Sequence, residues 1–76
     1  GNFSSAVNLY RQAIALAPQD PDSHVKLGKA MKELGRKQEA ISSLEVAKRL
    51  MQQQSAPSDR LTELETLLRE LKQVAG

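Results

Sequence analysis

Apolar side chains recur along the chain in four stretches, each at the three-and-four spacing that draws a stripe down one side of a helix. Phe3, Ala6, Val7, Tyr10, Ala13, Ile14 and Ala17 predict a first helix over about 3–17, stopped by Pro18. Asp20 followed by Pro21 is a strong start for the second. Its carboxylate can accept from unpaired backbone N–H groups, and proline in the first helical position lacks the N–H that would go unpaired anyway. Val25, Leu27, Ala30, Met31 and Leu34 carry that helix to about residue 34, where Gly35 suits the left-handed conformation that closes many helices. A third helix over about 37–53 has Ala40, Ile41, Leu44, Ala47 and Leu50 or Met51 inside. The polar run from Gln52 breaks near Pro57, and Ser58 or Asp59 can cap a fourth helix reaching about Ala75. Leu61, Leu64, Leu68, Leu71 and Ala75, with Leu67 and Val74 beside them, form a heptad-like seam, opposite Arg60, Glu63, Arg69, Glu70, Lys72 and Gln73. Short connections make consecutive helices antiparallel, so the predicted fold is an all-α antiparallel helical hairpin array of about four helices.

The first and third helices repeat one another. Ala6, Tyr10, Ala13 and Pro18 return as Ala40, Leu44, Ala47 and Gln52 after a constant 34 residues, with His24-x-x-Leu27-Gly28-x-x-Met31 between the copies. In this order and at this offset the chain resembles the tetratricopeptide repeat family over roughly residues 1–52. The resemblance implies an α-α superhelix in which 1–18 is the second helix of one repeat, 19–52 a complete repeat and 58–76 a C-terminal capping helix. Gly1 would then stand at a turn inside a repeat, so the chain is expected to be the C-terminal piece of a longer array. Gly28 and Ala40 are expected to make a close helix–helix contact, with Ala47 giving another and Leu27, Met31 and Leu44 packed around them. Two departures stand out: Gln52 replaces the repeat's proline, so the third helix is expected to run on, and His24 replaces a large aromatic, which weakens the first turn of the second helix.

Composition narrows the chemistry. A chain of 76 residues buries only about 60% of its unfolded surface. Phe3 and Tyr10 are its only aromatics, so aliphatic side chains must fill the core. With no cysteine, disulfides, thiol catalysis and cysteine-based zinc sites are excluded. No stretch nears the roughly 18 apolar residues of a membrane span, and no signal peptide opens the chain, so it reads as soluble without a membrane partner, its compartment left open with the cytoplasm favoured. His24 is the sole histidine, with no nucleophile and orienting group placed to serve it, and Asp20 and Asp22 read as helix-start carboxylates rather than cation ligands. No catalytic residue, cofactor site or metal site is expected.

Charge carries the functional expectation. Between residues 24 and 37 five cations, Lys26, Lys29, Lys32, Arg36 and Lys37, face one anion, Glu33, in a chain whose net charge is only +2. Family resemblance sets Asp22, Val25, Lys26, Lys29, Lys32 and Glu33 at or near the positions that line a peptide-receiving groove, and Arg36 extends the basic strip. The expectation is a non-enzymatic scaffold that binds another protein or peptide of acidic character, weighed against a plain solvated face. A carboxylate clamp of the chaperone-binding subfamily is not carried over, because Lys29 stands where that clamp has asparagine. Two other readings are kept: a recruiting appendage of a larger enzyme such as a glycosyl- or sulfotransferase, and nucleic-acid binding, which the modest charge, the scarcity of aromatics and the glutamates at 39, 45, 63, 65 and 70 disfavour. Homodimerisation could use the first helix, lacking its repeat partner, or the leucine seam of the fourth.

Overall fold

A computed structural model describes residues 2–73 of the chain. It contains α1 (Phe3–Leu16), α2 (Pro21–Glu33), α3 (Lys37–Gln53) and α4 (Ser58–Gln73), within a residue or two of the spans drawn from the apolar pattern. Gly1, proposed as a turn residue, and Val74 and Ala75, assigned to the fourth helix, lie outside the described residues.

The helix ends follow from specific side chains. Asp20 accepts from the Asp22 backbone N–H at 3.1 Å and from the Ser23 hydroxyl at 3.3 Å, and Pro21 occupies the first turn. Gly35, at φ +78°, closes α2: its N–H donates to the Lys32 carbonyl at 3.0 Å, and the Arg36 N–H reaches back to Met31 at 2.9 Å. α3 ends with the same pair of bonds, Ser55 to Gln52 at 3.3 Å and Ala56 to Met51 at 2.9 Å. There, however, a serine holds the left-handed position, at φ +56°. Lacking a proline at Gln52, α3 continues to Gln53.

Packing runs helix to helix, most extensively between α2 and α3. Arg11 of α1 lies 3.6 Å from Glu39 of α3, and Arg60 of α4 pairs with Asp22 of α2, so alternate helices share a layer. Two layers, α1 with α3 and α2 with α4, match a molecule 16 Å across its thinnest direction. Val7, Leu27, Met31, Leu44, Met51, Leu64, Leu68 and Leu71 fill the space between, together with the buried Ala30, Ala40 and Ala47. Leu50, offered as an alternative to Met51 in the core, is half-buried.

Gly28 shows how close that approach is. A Cβ added there would stand 2.7 Å from Leu44 Cγ and 3.3 Å from the Ala40 carbonyl oxygen. The expected contact among Gly28, Ala40 and Leu44 is therefore present. His24 is half-buried, and its Nε2–H donates to the Pro18 carbonyl at 3.1 Å, tying the first turn of α2 to the end of α1. The side-chain amide of Gln54 donates to the Gln19 carbonyl at 2.6 Å, joining the turn after α3 to the turn before α2.

Helix α1 departs most from its expected stripe. Val7 is buried, Tyr10 and Ile14 are half-buried, but Phe3 is 43% exposed and Ala17 falls outside the helix on the surface. Leu9 and Leu16, off the stripe, are 63% and 88% exposed. Only the side of α1 that meets α2 is covered.

Candidate binding groove

Lys26 and Lys29 stand as a ridge on the exposed face of α2, with a hollow on either side. Toward α4 lies a space of about 220 Å³. Met51 and Leu64, both buried, and the half-buried Val25 and Leu67 make it apolar at depth. Asp22, Lys26 and Lys29 edge it on the α2 side, Arg60 and Glu63 on the α4 side. Toward α1 lies a wider space of about 520 Å³, walled by Phe3, Ala6, Tyr10 and Ala30 with Asn2, Lys26, Lys29 and Glu33 around it. Both aromatics of the chain therefore face this second hollow.

The groove between α2 and α4 arises from matched helical spacing. Positions 22, 25, 26 and 29 on α2 and 60, 63, 64 and 67 on α4 each follow a three-and-four step, so each set occupies one face. α3 runs back between the two helices, which makes α2 and α4 parallel and brings their N-terminal turns to the same end. There Asp22 and Arg60 form their ion pair across the groove. Lys26 and Lys29 pair with no carboxylate among the described residues.

Of the residues singled out from sequence, Asp22, Val25, Lys26 and Lys29 meet in this groove, and Glu33 joins the two lysines at the other hollow. Lys32 and Arg36 line neither; Arg36 instead lies 3.9 Å from Glu39. Of the expected basic strip, two lysines therefore stand at the hollows and the other cations lie away from them. Each three-residue step falls about 60° short of a full turn, so Lys32 lies about 120° around the helix from Lys26. Arg60, Glu63, Leu64, Leu67 and Met51 escaped sequence reasoning as groove residues, because α4 was read as a cap with its charged side turned to water. The available signal was topological: two helices separated by one antiparallel hairpin return side by side.

Residues 1–35 match a family model described as a TPR repeat. Over that segment the chain is similar to a tetratricopeptide repeat. No curated protein and no solved structure matches the chain. The matched segment takes in α1 and α2 and ends at Gly35, so it contributes Asp22, Val25, Lys26 and Lys29 while α3 and α4 supply the rest of the groove. Tetratricopeptide repeats are interaction motifs that typically carry no catalysis, and the all-α hairpin array seen here is the architecture such a repeat builds. No helix of the described residues is long and apolar enough to cross a membrane, and no three His, Asp or Glu side chains gather among them as a metal site.

Proposed function

We propose that this chain is a protein-interaction module that receives an acidic segment of a partner protein in the groove between α2 and α4. The observation that carries this reading is the placement of Lys26 and Lys29, without carboxylate partners, beside an apolar hollow. At about 220 Å³ the space is below the roughly 300–1,000 Å³ of a small-molecule site, and suits one aliphatic side chain of a peptide. Burying that side chain supplies about 1.5 to 3 kcal/mol, and each exposed lysine–carboxylate contact roughly 0.2 to 1 kcal/mol more. Binding at this groove alone is therefore weak, with charge setting the rate of encounter and the apolar anchor setting the residence time.

Charge reversal tests the reading. The Lys26→Glu, Lys29→Glu variant, measured by surface plasmon resonance against an immobilised glutamate-rich peptide with a central leucine, should lose on-rate, most of all at low salt, with helicity unchanged. Binding as fast as the original at every salt concentration would place the partner surface elsewhere.

A further inference from the structure

We propose that Asp22 is a built-in occupant of the partner's place: an incoming carboxylate displaces it from Arg60, so that the bound acidic segment meets three cations, Lys26, Lys29 and Arg60. The inference rests on the groove reading above and adds the exchange to it.

Four observations carry it. The Asp22–Arg60 pair crosses the same groove whose edges hold Lys26 and Lys29, so a ligand lying over the leucine floor reaches all three cations. The Arg60 side chain is 45% and that of Asp22 53% exposed, which leaves the pair open to solvent and to a competing anion. Exposed pairs of this kind contribute little net free energy, so exchange is cheap, and the guanidinium can donate to a new carboxylate in place of Asp22. Finally, Asp22 is not the residue that caps α2. Asp20 accepts the capping bonds from the Asp22 N–H and the Ser23 hydroxyl, so releasing the Asp22 side chain leaves the cap in place.

The groove's lining favours an acidic protein segment over a nucleic acid. Among the described residues no aromatic side chain lines it for a base to stack on, whereas the floor of Met51, Leu64 and Leu67 suits an aliphatic side chain. With Asp22 in place Arg60 is neutralised, and only the two lysines attract. The exchange leaves the net charge of the lining unchanged, with Asp22 and Glu63 still at its edges, but turns Arg60 from an internal partner into a third contact for the anion.

Fluorescence polarisation of a labelled heptapeptide, glutamates around one central leucine, tests this with the whole chain. Variants Asp22→Asn, Arg60→Gln and the double variant are each checked for unchanged helicity. Asp22→Asn should tighten binding about three- to five-fold and steepen its salt dependence. Arg60→Gln should weaken binding, and Asp22→Asn should then add less than half of its original gain. An equal gain in both backgrounds, or none in either, overturns the exchange, since the first reflects net charge alone. If the peptide binds the original chain and is lost on Lys26→Glu, Lys29→Glu while Asp22→Asn is neutral, the groove stands and the exchange falls. Absence of binding to every variant sinks both. A single-stranded oligothymidine that gains as much as the peptide would also overturn the proposal, because the leucine anchor would then have no part.

Discussion

Replacing Gly28 with alanine adds one methyl group where the helices α2 and α3 have no room for it. The new Cβ would meet Leu44 Cγ at 2.7 Å and Cδ2 at 2.8 Å, against about 3.5–4.0 Å for relaxed carbon contacts, so something must move by roughly 1 Å. Leu44 is 1% exposed and Ala40 0%, so neither can yield into solvent, and the clash falls on the branch carbon rather than on the tip of a flexible side chain. Overpacking of this kind costs about 1 to 3 kcal/mol, and the better helix propensity of alanine returns about 1 kcal/mol. The expected net destabilisation is about 1 kcal/mol, or a loss of about 1 M in urea midpoint for a domain of this size. The decisive comparison repeats the substitution in a Leu44→Ala background, held folded with trimethylamine oxide because that change alone costs about 2 to 5 kcal/mol. With Cγ and Cδ2 gone, Gly28→Ala should become stabilising by about 1 kcal/mol, a coupling of about 2 kcal/mol for a contacting pair. Circular dichroism in urea reads both limbs. A midpoint unchanged by Gly28→Ala, or raised equally in both backgrounds, would show that Gly28 is no contact point.

Three further outcomes are expected. Ser55→Gly should raise stability by about 0.5 to 1 kcal/mol in thermal unfolding, because Ser55 occupies at φ +56° the left-handed position that Gly35 fills at φ +78°; a lowered melting temperature would refute this. Leu64→Ala, at a site 2% exposed, should cost about 2 to 5 kcal/mol, whereas Lys72→Gln, which removes the 3.0 Å exposed pair with Glu45, should cost under about 1 kcal/mol; the reverse order in urea would mean that ion pairs hold α4 in place. The bare Leu9 and Leu16 on α1, a helix whose one charge is Arg11, should give weak self-association at high micromolar concentration, since a 14-residue helix face is smaller than stable dimers need. Sedimentation equilibrium should show it vanish in Leu9→Glu, Leu16→Glu, and a monomer at every concentration would refute it.

Much of the fold could be read from local pattern, because the signals involved are local. Asp20-Pro21 caps α2 by chemistry confined to four residues, and Gly35 closes it through a backbone angle that other side chains resist. Gly28, Ala40 and Leu44 were paired across 12 to 16 residues because the resemblance to tetratricopeptide repeats implies a close helix contact at those positions. The groove was harder to see. Its α4 side depends on how that helix is rotated over α3, and a leucine seam with charges around it leaves several rotations open. Arg60 and Glu63 thus read as ordinary solvent-facing groups until the fold brought Arg60 to Asp22, 38 residues away in sequence. Lys32 stands away from the groove for a simpler reason: lysines three apart look continuous in sequence yet wind around the helix. Ser55 hid its turn, since nothing in its type announces a left-handed backbone.

Nuclear magnetic resonance of the isotope-labelled chain, titrated with the glutamate-and-leucine peptide, tests the central claim most directly, because it locates the binding surface without substitutions. The account predicts that amide and methyl shifts concentrate on Val25, Lys26, Lys29, Met51, Arg60, Leu64 and Leu67, the residues around the α2–α4 groove. Shifts confined to α1, or to the outer face of α3 at Ser42 and Ser43, or spread evenly over every exposed lysine and arginine, would contradict it.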